Sequence, residues 1–443
     1  MKNPSIRSVV LIGILIPAFG SFLVLFPQIR NLIIYFGSFL AHKTLNAPVW
    51  HERFIKLAIQ TIIVCILCAV LVSKNFAPIL NTNKAAYIIR YFAICTTALC
   101  IGIFFFHNIN YPNFWYDESG QFWMAKGLNH YSAPFSETGN ISDVLINNST
   151  HNLDPGGFTI LLHYVTFIGN SPLVLRLLPF SFFLLSYFIV TKLSKIWCEN
   201  TLINLFSGFI LFLSPLIMYY SFELRAYSME MFATLFAVYI TYKRHSIFTN
   251  RHQLMFPLLL GIILALGMSS RYSAIVSVAP LFLFIFFDIL SKKMQLQTTW
   301  LQLILFGLPI VVIIFGIYFF TLRHQNPTGT PPGYTQDLMI KYSGLKSFFG
   351  TKLKVTIPFL ILVILFIKCG KKEWFKPYNI FVIYGFIQNV FFIILSILGK
   401  YTWGINSRWD ISTHTLFIIS IIPLLFIVYN KLEKIHIQNS YLF

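Results

Sequence analysis

The sequence predicts an all-α, polytopic transmembrane protein, and three observations support this fold class. Hydrophobic residues make up 57% of the 443-residue chain and charged residues only 11%, and the mean hydropathy is +0.72. Soluble domains carry about 25% charged residues, so this chain has too few ionic groups to cover a soluble surface. Its apolar runs are continuous and of helix length, without the alternation that is typical of an outer-membrane barrel.

The apolar runs predict about twelve membrane spans, because each is close to the ~20 residues that cross a bilayer core. The first run is long enough to remain as a span, and we expect no cleaved signal peptide. The predicted spans lie near residues 8–26, 54–73, 86–106, 173–193, 203–219, 225–243, 255–270, 272–290, 302–320, 355–368, 377–398 and 412–430. Two further segments, 29–41 and 155–169, are ambiguous between a span and an interfacial helix.

The positions of the lysines and arginines orient these spans. Short basic clusters separate the apolar runs, as in KLSK after residue 191 and KCGKK near residue 370, and such clusters are typical of cytoplasmic loops. All of these basic clusters lie on the cytoplasmic side if segment 155–169 enters the membrane interface and returns without crossing. We therefore expect a multi-pass plasma (inner) membrane protein with both termini in the cytoplasm. These loops account for the formal charge of +19, so no nucleic-acid partner is expected.

The first outward loop, residues 107–172, is long, polar and rich in aromatic residues. We expect two short helices on the membrane surface here, near 117–128 and 155–168. Asp117 and Glu118 open the first of them, and acidic residues in a first turn complement the helix dipole, which accounts for one carboxylate. A carboxylate in a partly dehydrated place has a raised proton affinity and can serve as a general base, so we predict a functional role for the pair.

A second polar cluster lies in the predicted break between two spans, in the stretch SFELRAYS. Here Glu223 and Arg225 stand between the hydroxyl-bearing residues Tyr220 and Tyr227. Arginine grips phosphate through two parallel hydrogen bonds, so we predict a ligand for an anionic substrate. The alternative is an interfacial ion pair, or an arginine that extends its charge to the membrane surface.

Other candidate residues lie on the same predicted outer face. HNLDPGG places His151 and Asp154 in a turn, where Asp154 as a helix cap is the simpler interpretation. These two side chains do not make a metal site, so the metal is unknown; a divalent metal is possible and no cofactor is certain. Arg271, Lys400 and Arg408 stand at outer helix ends. Singly each is a solvated charge, and together they suggest an anionic, membrane-borne partner.

Three stretches in the same order resemble the GT-C superfamily of glycosyltransferases, in the branch similar to protein O-mannosyltransferases and lipid A aminoarabinose transferases. YDESGQFWMAKGL resembles the first-loop motif, in which an Asp-Glu pair opens an interfacial helix. DPGGFTILLHYVTFIGNSPLVLRLLPFSFFLLSYFIVTKL resembles the segment that leads from a proline-containing turn into the next span. LSPLIMYYSFELRAYSMEMFATLFAVY resembles a stretch in which a Ser-Pro helix end precedes Tyr, Glu, Arg and Tyr.

The resemblance covers residues from about 86 to 290 and implies a division of the chain. Residues 1–80 would be additional N-terminal transmembrane helices, and 81–290 a catalytic transmembrane module. Residues 291–443 would add C-terminal helices with a Pro/Gly-rich outer loop, 321–354, of the kind that forms a lid. The family usually has Pro-Pro or Lys-Pro where this chain has Asp-Pro-Gly, so a role carried there by a lysine has no counterpart here.

The resemblance also implies a chemistry. Such enzymes move a sugar from a polyprenyl-phosphate donor to a lipid, glycan or protein acceptor on the extracytoplasmic side. Asp117 would be the general base of an inverting displacement, and Glu118 would orient Asp117 or hold the sugar or a metal. Arg225 would neutralise the leaving phosphate. Three cations would assist it less directly, namely Arg271, Lys400 and Arg408.

Two rival functions stay open at this level. A glycan polymerase or ligase would move whole glycans from a lipid-diphosphate carrier. A lipid-sugar flippase or transporter would use the carboxylates for proton coupling, but it would place ionisable groups at mid-membrane on broken, repeated helices. The charged residues of this chain are predicted at the outer face, and the sequence has no internal repeat, which favours transfer over transport.

Overall fold

A computed structural model describes the chain in several stretches. They are residues 28, 31, 102, 109, 112–128, 138–151, 154–196, 207–208, 211, 215–248, 254–275, 277–278, 281, 296–323, 411–412 and 415. Regular structure within these residues is helical and includes no strand, so the predicted all-α class is confirmed for this part of the chain. The chain divides into two compact units, Met1–Tyr111 with Phe209–Pro215, and Pro112–Gly208 with Leu216–Phe443. Nearly all described residues belong to the second unit.

The described part of the predicted outward loop, residues 107–172, contains three helices where the sequence predicted two. Helix α1 spans Tyr116–Ala125, α2 spans Ile141–His151 and α3 spans Gly157–Thr166. The additional helix α2 begins with a reciprocal cap, in which the Asp143 N–H donates to Asn140 Oδ1 at 3.0 Å and the Asn140 N–H donates to Asp143 Oδ2 at 3.1 Å. This pair satisfies two amide donors of a polar helix, and prediction from hydrophobic runs overlooks such a helix.

The turn before α3 depends on two consecutive glycines. Gly156 has φ +95°, in the left-handed region that favours glycine. The Gly157 N–H donates to the Ser269 carbonyl at 3.0 Å, and a Cβ on Gly157 would lie 1.8 Å from Ser269 Oγ. The Asp-Pro-Gly-Gly turn therefore lies directly against Ser269, two residues before Arg271.

Among the described residues, two helices are long and apolar enough to cross a membrane. Helix α4 spans Pro172–Ser194, with a mean hydropathy of 2.1 in its most apolar window, and begins at Ser171, whose hydroxyl accepts the Val174 N–H at 3.4 Å. The second membrane-length helix is Trp300–Thr321, with a mean hydropathy of 2.8. These helices match the predicted spans 173–193 and 302–320. They are compatible with a membrane protein.

The remaining helices complete the packed unit. Helix α5 spans Pro215–Tyr220, α6 spans Tyr227–Phe248 and α7 spans Met255–Met268. Helix α8 spans Leu296–Ile317 and continues into a π-helical turn at Tyr318–Leu322. Helix α6 packs against α4 and α7, and α7 packs closely along α8.

Most other predicted spans lie outside the described residues. This applies wholly or almost wholly to 8–26, 54–73, 86–106, 355–368, 377–398 and 412–430, and to the outer loop 321–354. Spans 203–219 and 272–290 are described only in part. Helix α6 begins at Tyr227, two residues after the predicted start of span 225–243, and Arg225 lies in the turn before the helix, in the break that the sequence predicted.

Candidate functional site

Glu118 is a buried carboxylate that accepts hydrogen bonds from two residues on other segments. It is 2% exposed and stands in the first turn of α1. Its Oε2 atom lies 2.6 Å from Arg176 Nη2 and its Oε1 atom accepts from Arg176 Nε at 3.0 Å. The backbone N–H of Leu224 also donates to Oε1, at 2.9 Å. Glu118 therefore joins α1 to α4 and to the turn between α5 and α6.

Arg176 is not among the predicted site residues, and its donors are engaged. Besides gripping Glu118, its Nη2 donates to the Asn113 carbonyl at 2.9 Å, and its guanidinium lies 5.5 Å from the centroid of the Phe114 ring. A cation near an aromatic face and paired bidentately with a carboxylate is firmly held. The signal for it was a lone arginine within an apolar predicted span, a position where ionisable residues are expensive and usually paired.

Asp117 precedes this buried carboxylate and remains partly exposed. It acts electrostatically on Arg225, in the turn between α5 and α6. Burial lowers the pKa of the Arg225 guanidinium, but Tyr227, Asp154 and Asp117 raise this pKa by more, so that it lies above its usual range. Arg225 is therefore a fixed positive charge in the field of two aspartates.

The turn that carries Arg225 lies between Tyr220, the last residue of α5, and Tyr227, the first residue of α6. The rings of these tyrosines are 4.3 Å apart between centroids. Glu223 is 3% exposed, and its carbonyl accepts the Arg225 N–H at 2.6 Å. The Ser228 hydroxyl donates to the Tyr220 carbonyl at 2.8 Å, which closes the turn. The predicted residues of this stretch thus form one local cluster.

Asp154 lies between two arginines. Its Oδ1 atom accepts from Arg271 Nε at 3.2 Å, while its Oδ2 atom is 3.9 Å from Arg225 Nη2. The first contact is a hydrogen bond and the second is a longer ion pair. Asp154 is therefore more than a helix cap, since it brings together two arginines that the sequence placed in separate loops.

Arg271 is held by a second carboxylate, that of Glu230 on α6. Arg271 Nη1 donates to Glu230 Oε2 at 2.9 Å, and the guanidinium lies 4.8 Å from the centroid of the Tyr227 ring. Glu230 is fully buried and also accepts hydrogen bonds from the Ser273 hydroxyl, at 2.6 Å, and from the Ser412 hydroxyl. Glu230 is not among the predicted site residues, although an acidic residue inside an apolar run signals a paired, buried charge.

The three arginines therefore differ in how their donors are used. Arg176 and Arg271 each make short hydrogen bonds to a carboxylate. Arg225 has a buried Nε atom that makes no hydrogen bond in the described part of the chain, its ion pair to Asp154 is 3.9 Å long, and its side chain is 16% exposed. A guanidinium with unused donors can bind a further anion by donating two parallel N–H hydrogen bonds to it. Of the three, Arg225 is best suited to bind one.

Several predicted residues fall outside this cluster or outside the described residues. His151 ends α2, but its side chain is among those not described, and Lys400 and Arg408 also lie outside the described residues. Within the described stretches, no group of three or more His, Cys, Asp and Glu side chains is arranged to hold a metal ion.

Comparisons with protein-family models, curated proteins and solved structures found no match for this chain. The resemblance to GT-C enzymes therefore depends on the three sequence stretches quoted above.

Proposed function

We propose that this protein is a membrane glycosyltransferase that moves a sugar from a polyprenyl-phosphate donor to an acceptor on the extracytoplasmic face. The observation that carries the proposal is that a partly exposed carboxylate, Asp117, lies within electrostatic range of an incompletely engaged guanidinium, Arg225. A transferase of this kind needs a base for the acceptor and a cation for the leaving phosphate.

In the proposed reaction, an acceptor hydroxyl attacks the anomeric carbon of the donor sugar. The new bond joins the acceptor oxygen to that carbon, and the bond from the carbon to the phosphate oxygen breaks. The electron pair of the broken bond leaves with the polyprenyl phosphate, whose charge Arg225 stabilises. Asp117 takes the acceptor proton as the bond forms. A single displacement of this type inverts the anomeric configuration.

The surrounding residues would hold these two groups in place. Glu118 fixes the start of α1 to the turn that carries Arg225, through its bond to the Leu224 N–H. Asp154 keeps Arg225 in the cluster by a long ion pair that a donor phosphate could replace. The neighbouring rings of Tyr220 and Tyr227 are buried and pack at the two ends of the turn that carries Arg225. Glu223 is buried in the same turn.

A lipid-linked donor also fits the exposed apolar surface of the described helices. Helix α7 carries a run of exposed apolar side chains, namely Met255, Phe256, Leu259, Ile262, Ile263 and Leu266. Surfaces of this kind mark membrane or ligand contact. The proposal places the chain as a multi-pass protein of the plasma membrane, with both termini cytoplasmic and the Asp117 cluster on the outer side.

The proposal is tested by a transfer assay with the purified protein in proteoliposomes. Polyprenyl phosphates carrying radiolabelled hexoses or pentoses would be offered with an extract of cell-envelope lipids, glycans and peptides. We expect label to appear in the acceptor fraction together with free polyprenyl phosphate. The absence of transfer from every donor of the panel would overturn the proposal.

The same proteoliposomes distinguish the rival functions. A ligase would transfer label only from lipid-diphosphate glycans. A flippase would move labelled lipid between leaflets without breaking the bond between sugar and phosphate. Either result would replace the proposed activity.

A further inference from the structure

Three buried polar side chains link the three helices of the predicted outer loop. Gln121 lies on α1, Thr159 on α3 and Asn148 on α2, and their exposed fractions are 1%, 1% and 0%. Gln121 Nε2 lies 2.8 Å from Thr159 Oγ1, and Thr159 Oγ1 lies 2.7 Å from Asn148 Oδ1. Asn148 Nδ2 lies 2.9 Å from the backbone carbonyl oxygen of Asp154. The chain of hydrogen bonds thus starts on the helix of Asp117 and ends on Asp154.

The chemistry of the last acceptor determines the direction of every bond. A backbone carbonyl only accepts, so the Asn148 amide group must donate to Asp154 and its oxygen must face Thr159. The Thr159 hydroxyl has one proton, which it donates to Asn148. Thr159 must therefore accept from the Gln121 amide. Each member has one consistent role, and an orientation that is specified in this way makes a rigid link.

Gln121 stands one helical turn after Asp117, on the same face of α1. Asn148 holds the backbone of Asp154, whose carboxylate contacts Arg225. We propose that Gln121, Thr159 and Asn148 are positioning residues that hold the general base Asp117 in register with the Asp154–Arg225 pair. This inference depends on the proposed transferase function and adds a reason for the alignment of its two catalytic groups.

The link can be broken without detaching α1 from α3. The His163 ring donates from Nδ1 to the Ala125 carbonyl at 2.8 Å, which gives the two helices a second contact. Thr159→Val keeps the shape of the side chain and removes both hydrogen bonds of its hydroxyl. Thr159→Ser keeps the hydroxyl. Thr166→Val is the matched control, because Thr166 is also buried on α3 but donates only to its own helix, at the His163 carbonyl.

The experiment compares the transfer kinetics of these variants in full-length protein, with the donor that the wild-type protein uses. We expect Thr159→Val to lower kcat about 10-fold or more, since a misplaced catalytic group costs up to ~100-fold. The donor KM and the number of donor molecules bound per protein should stay near the wild-type values, which excludes a smaller folded fraction. Thr159→Ser and Thr166→Val should retain most of kcat.

The results that would overturn the inference separate a failure of the positioning role from a failure of the proposed function. If wild-type protein transfers sugar and Thr159→Val matches Thr166→Val, the positioning role fails and the transferase function stands. If wild-type protein transfers no sugar, the proposed function fails and the positioning role fails with it. Should Thr159→Val not fold, Gln121→Met removes only the first bond of the chain. That variant should also lower kcat, and a kcat equal to that of the wild-type protein would contradict the proposal.

Discussion

The carboxylate of Glu118 and the guanidinium of Arg176 form a buried ion pair across 58 residues of sequence, with Oε2 and Nη2 2.6 Å apart. This pair separates the roles of two adjacent carboxylates. Glu118 accepts hydrogen bonds from Arg176 and from the Leu224 N–H. Asp117 remains partly exposed and interacts electrostatically with Arg225.

Replacing Asp117 should remove transfer without affecting the fold. Asp117→Asn deletes the proton acceptor, and a positioned general base contributes about 10²–10⁴-fold to the rate. We therefore expect kcat to fall by that factor, while thermal unfolding stays within a few degrees of wild type. The control is Asp143→Asn, which changes a capping carboxylate of α2 in the same loop. Equal activity in Asp117→Asn and wild type would remove Asp117 from the mechanism.

Replacing Glu118 should instead affect stability. Glu118→Gln leaves the Arg176 charge buried without its counter-ion, and breaking one side of a buried ion pair costs about 3–5 kcal/mol. The free energy of unfolding in detergent should fall by that amount. A double-mutant cycle with Arg176→Gln measures the coupling between the two residues. A coupling near zero would show that the pair contributes little to the fold.

The two arginines that contact Asp154 should respond differently to substitution. Arg225→Ala should weaken donor binding by roughly 10-fold to 100-fold, the effect of losing charged hydrogen bonds of ~1.5–3 kcal/mol, with little loss of stability. Arg271→Met should destabilise the protein, because Asp154 and Glu230 lose their shared cation. Equilibrium binding of a labelled polyprenyl-phosphate sugar and thermal unfolding separate these effects. A reversed pattern would make Arg271 the phosphate ligand.

The glycine turn offers a test of the packing that brings Asp154 to Arg271. Gly157→Ala places a methyl group 1.8 Å from Ser269 Oγ, and overpacking of this kind costs about 1–3 kcal/mol. Gly120→Ala is the matched control in α1, since its Cβ would meet nothing within 4 Å and alanine favours a helix by about 0.5–1 kcal/mol. Thermal unfolding should show opposite shifts. A neutral Gly157→Ala variant would mean that the turn and Ser269 can separate easily.

Local patterns in the sequence predicted much of the described fold. The length of the apolar runs predicted α4 and α7 to within about two residues, and the acidic pair predicted the start of α1. Helix α2 escaped prediction because it is polar and depends on the Asn140–Asp143 cap. Hydrophobic periodicity carries no signal for such a helix.

Some residues of the observed cluster were candidates from the sequence, but their pairings were not predicted. Asp154, Arg225 and Arg271 were candidates because the sequence predicted them on one face of the membrane. In the structure, Asp154 contacts both arginines. Arg176 and Glu230 were missed because their partners lie 58 and 41 residues away in sequence. Such pairings arise from helix packing, which local spacing does not encode.

Asn148 also stands at the head of an Asn-Ser-Thr sequence, the acceptor signal for N-linked glycosylation. Its side-chain nitrogen, the atom that a glycan would occupy, is buried and donates to the Asp154 carbonyl. A sugar attached there during synthesis would separate α2 from the Asp-Pro-Gly-Gly turn, so the folded protein cannot carry it. In Asn140-Ile-Ser, by contrast, the asparagine is exposed. Of these two sequons, only the one at Asn140 is open to an oligosaccharide.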